Sequence, residues 1–130
     1  MIVVSTGEVN REGWRLLPEG GKADKYSNNP VLLYQHSRSS AWDGNKTSLP
    51  VGKIQNLRLE DGRWVADDPV FDEDDEFAMK LKKKWEKGMR NALSPGVIPL
   101  TVSDNPELLM QGQTRATVTE WEFSEISLVD

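Results

Sequence analysis

Three side chains carry most of the chemical potential of this sequence. His36 is its single histidine. An imidazole has an ordinary pKa of about 6.5, which suits general base work near neutrality. Ser94 lies in Ala92-Leu93-Ser94-Pro95-Gly96. On a strand, Ala92, Gly96 and Ile98 share its face, and small neighbours leave room for a substrate backbone. Glu125 lies in Trp121-Glu122-Phe123-Ser124-Glu125-Ile126-Ser127-Leu128-Val129. Strict alternation puts Trp121, Phe123, Glu125, Ser127 and Val129 on one face, with Glu122 opposite. A carboxylate on an apolar face needs a partner, because an unpaired buried charge costs several kcal/mol. A histidine or an arginine would serve.

Each residue also has a plainer account. His36 fits a strand-end histidine without a role, and Ser94 an ordinary strand serine. Glu125 fits a structural ion pair, or a bulge that turns it outward. Ser94 comes near the Gly-x-Ser-x-Gly elbow, but Ala92 replaces the first glycine. Pro95 lacks the N–H that an elbow uses as oxyanion donor, so an α/β-hydrolase is excluded.

The elements that must position these residues are legible in part. Val31-Leu32-Leu33-Tyr34-Gln35-His36 follows Asn28-Asn29-Pro30 and is too short for a typical helix. It predicts a buried strand ending at His36, with Leu32 and Tyr34 on the histidine's face. Ser37–Ser48 is polar and predicts a loop. Val51–Leu59 and Arg63–Ala66 flank Glu60-Asp61-Gly62, a strong hairpin signal. Phe77, Leu81, Trp85 and Met89 recur every four residues and predict one long helix over 72–88. Acids crowd its start, lysines its later turns, and Gly88 can cap its end. The acidic run lacks the glycine and ligand spacing of a calcium loop. Thr114–Val129 predicts one long strand or two.

Length and composition fit one domain spanning 1–130 with a real core. Without cysteine, thiol catalysis, zinc-thiolate binding and disulfides are excluded. A net charge of −5 argues against nucleic acid as the main partner. The basic cluster Lys80–Lys87 fits a solvated helix face. No apolar run approaches a membrane span, and Met1–Ser5 lacks the pattern of a signal peptide.

Taken in order, several segments resemble the prohead protease family of tailed phages. They are Val9-Asn10-Arg11-Glu12-Gly13-Trp14, Asn29–His36, Pro50-Val51-Gly52-Lys53, Val70-Phe71-Asp72 with Phe77-Ala78, Ser94-Pro95-Gly96, and Glu125-Ile126-Ser127-Leu128-Val129. The resemblance implies an α+β, mainly β fold: a herpesvirus-assemblin-like closed or nearly closed β-barrel flanked by one long helix. It implies a serine endopeptidase with Ser94 as nucleophile, His36 as base and Glu125 as the acid. No metal or organic cofactor is then expected. The substrates would be phage scaffold and major capsid proteins, cleaved inside the procapsid in the bacterial host cytoplasm, and the enzyme itself could be another. A homodimer is compatible with the resemblance. The family normally continues past its closing motif, so the resemblance implies a domain truncated at its C-terminus, with oxyanion donors further on and little turnover. Glu125→Gln is expected to weaken cleavage less than loss of Ser94 or His36.

Other functions fit parts of the pattern. A non-catalytic phage assembly module would keep the same fold. An unrelated β-barrel binding domain would leave His36, Ser94 and Glu125 far apart. A glycosidase would need Glu122 and Glu125 to face each other across a sugar.

Overall fold

The computed structural model describes residues 1–10, 12–36, 49–89 and 92–129. The polar loop expected over 37–48 lies outside the described residues. Ten strands and two α-helices are described. Strand β1 (Ile2–Ser5) pairs antiparallel with β7 (Arg63–Ala66), which pairs with β6 (Arg58–Glu60). Asp61 and Gly62 join β6 to β7 with φ of 52° and 75°. Both central residues are left-handed, as a two-residue hairpin turn demands.

The second sheet has seven strands and is organised by β10 (Thr117–Val129). One edge of β10 receives, in succession and in parallel, β2 (Arg15–Leu16), β3 (Gly21–Lys22) and β4 (Val31–Tyr34). Its other edge pairs antiparallel along the length of β9 (Ala92–Ser103). β4 continues the sheet to β5 (Gly52–Lys53) and β8 (Val70–Phe71).

The expectation of a barrel flanked by one long helix is corrected on both counts. Among the described residues no closed barrel forms, and there are two α-helices, the one-turn α1 (Asp24–Ser27) as well as α2 (Glu76–Glu86). Among those residues the two sheets remain separate, and β9 ladders with β10 alone. β1 lies near β9, where closure would occur, without forming a ladder to it. Pro95 and Pro99 in β9 cannot donate backbone hydrogen bonds, which disfavours a second partner on that strand. α2 is also shorter than the expected 72–88. Asp75 caps it by accepting the Phe77 N–H at 3.0 Å. At its end, Gly88 and Met89 donate to the carbonyls of Trp85 and Lys84, and Gly88 has φ 74°. This is the Schellman ending, which glycine permits.

One core unites the sheets and α2. Leu32, Val51, Trp64, Phe71, Leu81, Trp121, Phe123, Ile126 and Leu128 are buried in it. Trp64, Trp121 and Phe123 meet edge to face, with centroids 4.8–6.2 Å apart. Trp64 and Trp121 also donate to the carbonyls of Pro18 and Leu17. Phe77 and Trp85 pack against the core, while Met89 is outside the helix and exposed.

Candidate active site

The site is built on a change of phase within β10. Trp121 and Phe123 point into the core, and so do Ile126 and Leu128. Residues three apart cannot share a face of a regular strand. The register shows how they do: Phe123 lies opposite Val97, but Glu125 lies opposite Gly96, leaving Ser124 as an extra residue. This β-bulge resets the alternation. Glu125 and Ser127 therefore leave the Trp121–Phe123 face, where sequence alternation had put them, and turn to the other side of the sheet. Both remain buried, at 3% and 0% exposure.

β4 brings His36 to that side. The strand ends at Tyr34, two residues earlier than expected. Gln35 and His36 then adopt φ of 52° and 57°. Successive left-handed residues other than glycine are uncommon and cost about 1–3 kcal/mol each. They break the strand alternation and fold the imidazole onto Glu125. His36 Nδ1 donates to Glu125 Oε1. The Ser127 hydroxyl donates to Glu125 Oε2 at 2.6 Å and accepts the His36 backbone N–H at 2.9 Å. A carboxylate only accepts, so Nδ1 carries the proton of its bond, and in the neutral imidazole Nε2 keeps the lone pair. The His36 side chain is 43% exposed, over an acid that is 4% exposed.

Ser94 enters from the neighbouring strand. It lies directly opposite Ser127 in the β9–β10 ladder, and Gly96 lies opposite Glu125. Directly opposed residues project to the same face. Ser94 and Gly96 thus share the face of Glu125 and Ser127. No hydrogen bond among the described residues joins Ser94 to His36, so acid and base are in contact and the hydroxyl is not engaged. Such contacts are often loose before substrate binds. Ser94 borders a cleft of about 450 Å³ together with Thr6, Glu12, Trp14, Pro95 and Val97. A second cleft of about 350 Å³ is bordered by Tyr26, Val31, Ile98, Glu122 and Ser124.

No family model, curated protein or solved structure matches this chain.

Tyr26 adds a feature that sequence inspection missed. Its hydroxyl donates to the Val31 carbonyl at 2.7 Å. Burial raises its pKa well above the ordinary value, and the charge of Glu125 raises it further. Sequence alternation put Ser127 on the face of Glu125 but gave it no role; its spacing of two residues from the acid is the signal that points to one. Gly96 was read as room for substrate, but its missing side chain makes room for Glu125 (Cγ and Cδ would lie 2.9 Å from a Cβ there). Glu122 has a separate partner, Lys25 Nζ at 3.9 Å. No helix of the described residues is long and apolar enough to cross a membrane.

Proposed function

We propose that this chain is a serine endopeptidase of the tailed-phage prohead type, acting on scaffold and capsid proteins. The observation that carries this reading is the His36–Glu125 pair, fixed with Nε2 free to accept a proton and lying on the face that presents Ser94. An unrelated binding domain was expected to leave His36 and Glu125 far apart, whereas they meet across 89 residues of chain.

In this reading Ser94 Oγ attacks the carbonyl carbon of the scissile peptide while His36 Nε2 takes its proton. Glu125 stabilises the resulting imidazolium. The tetrahedral intermediate collapses as His36 protonates the leaving amine, and an acyl group remains on Ser94. Water, deprotonated by His36, then releases the acid product and restores the hydroxyl. Pro95 supplies no N–H, so the oxyanion donors belong to a segment other than the residue after the nucleophile. Maturation inside the procapsid of a bacterial host is the setting the resemblance suggests.

The test is labelling by a fluorophosphonate, with the modified residue found by peptide mass mapping, alongside cleavage of the phage scaffold protein. Ser94 should carry the label, and Ser94→Ala and His36→Ala should each abolish labelling and cleavage. Undiminished cleavage by Ser94→Ala would falsify the nucleophile assignment. A folded full-length gene product that neither labels nor cleaves would instead favour the non-catalytic assembly module.

A further inference from the structure

We infer that Ser127 is a positioning residue that fixes both the tautomer and the placement of His36. Its role in catalysis rests on the protease reading above, but the geometry that motivates it does not. Ser127 closes a ring of hydrogen bonds. The His36 N–H donates to Ser127 Oγ, Ser127 Oγ–H donates to Glu125 Oε2, and Glu125 Oε1 accepts from His36 Nδ1. A hydroxyl has one hydrogen. With that hydrogen committed to Glu125, its lone pair receives the histidine's own backbone. One buried side chain therefore holds the base at its main chain and, through the acid, at its ring.

The clamp answers a local difficulty. Gln35 and His36 both stand at positive φ, and neither is a glycine. A strained turn persists only where its surroundings hold it. The Ser127 hydroxyl supplies an acceptor to the amide at the end of that turn. The Gln35 N–H donates to the Leu128 carbonyl at 3.0 Å, so neighbouring residues of β10 grip both strained positions. The other side of the clamp is the acid. Without the Ser127 hydrogen, Glu125 Oε2 would lose its donor at a site of 4% exposure, and the carboxylate could rotate away from Nδ1. An untethered neutral imidazole would then be free to carry its proton on Nε2. That tautomer cannot accept from Ser94.

The uniqueness of His36 makes the test direct, because its ring nitrogens give one set of signals. Long-range ¹H–¹⁵N spectra of the full chain, recorded above the imidazole pKa, should show the Nδ1–H tautomer in the wild type. In Ser127→Ala the Nε2–H form should become predominant. Fluorophosphonate labelling of Ser94 should slow at least tenfold, while the thermal unfolding transition remains cooperative. Ser127→Cys, of similar volume and with a weaker donor, provides the second variant if alanine is not folded, and should fall between the two. A folded variant that keeps the Nδ1–H tautomer and labels within twofold of wild type overturns the inference. If the full-length wild type does not label at all, the protease reading fails, and the tautomer measurement alone still decides the role of Ser127.

Discussion

Gly96 and Glu125 share a space that holds only one side chain. A Cβ built on Gly96 would lie 2.9 Å from both Cγ and Cδ of the acid. Glu125 cannot yield freely, because Ser127 and His36 hold its two oxygens. Gly96→Ala should therefore push the carboxylate off His36. Overpacking of this kind costs about 1–3 kcal/mol. The expected result is a modest fall in stability with a loss of labelling of at least tenfold. Wild-type labelling in Gly96→Ala would show that the acid can move without consequence.

Donor counting changes what Glu125→Gln should do. An amide has one acceptor oxygen, whereas two donors, Ser127 Oγ–H and His36 Nδ1–H, reach for Glu125. If the oxygen stays with Ser127, the NH₂ group faces Nδ1 and imposes the wrong tautomer. The sequence expectation of an effect weaker than loss of Ser94 or His36 is sharpened to a loss of about 10⁴ in turnover, the size a histidine in the wrong tautomer produces. Scaffold cleavage by Glu125→Gln at more than a tenth of the wild-type rate would contradict this.

Tyr26 sets an alkaline limit. Its raised pKa means that folding favours the neutral phenol. The stability it contributes is present below about pH 10, the ordinary tyrosine pKa, and is lost as pH climbs toward the folded value. Tyr26→Phe should cost about 1 kcal/mol near neutrality, through the lost bond to Val31, and should flatten the decline above pH 10. Urea unfolding from pH 8 to 11.5 checks this. Parallel declines in the two proteins would remove Tyr26 as the cause.

The helix cap should be separable from the site. Asp75→Ala removes the acceptor for the Phe77 N–H and should cost about 0.5–2 kcal/mol. Labelling at Ser94 should remain within twofold, since α2 contributes no described contact to His36, Glu125 or Ser127. A tenfold fall in labelling with α2 intact by circular dichroism would show that the helix supports the site.

Sequence patterns were informative where a short window decides the outcome. Asp61-Gly62 specifies its hairpin through two backbone angles, and the Phe77–Leu81–Trp85 spacing specifies the buried side of α2. Both are local. The arrangement of the sheets was not legible, because closure depends on which distant edges find each other. Strand alternation is interrupted along β10, and the interruption that decides the site falls at Ser124. Ser124 carries no special chemistry that would announce a bulge, yet it moves Glu125 and Ser127 to the other side of the sheet. The left-handed turn at Gln35 and His36 was likewise hidden, since neither residue is a glycine and the clamp that sustains it lies 91 residues away. The three candidate residues were offered by their types and assigned roles by the resemblance, and two of them, His36 and Glu125, are in contact.

The dependence of β2, β3 and β4 on one late strand has a consequence for how the molecule is made. Pairings of such long sequence separation are slow to form, because loop closure precedes any reward in contacts. A growing chain that has reached Ser94 already contains the base and the hydroxyl. It still lacks the acid, the clamp and the strand on which residues 15–34 dock in parallel. Formation of the His36–Glu125 contact and completion of the sheet therefore both wait for β10, and a partly synthesised chain that ends before it has no assembled pair.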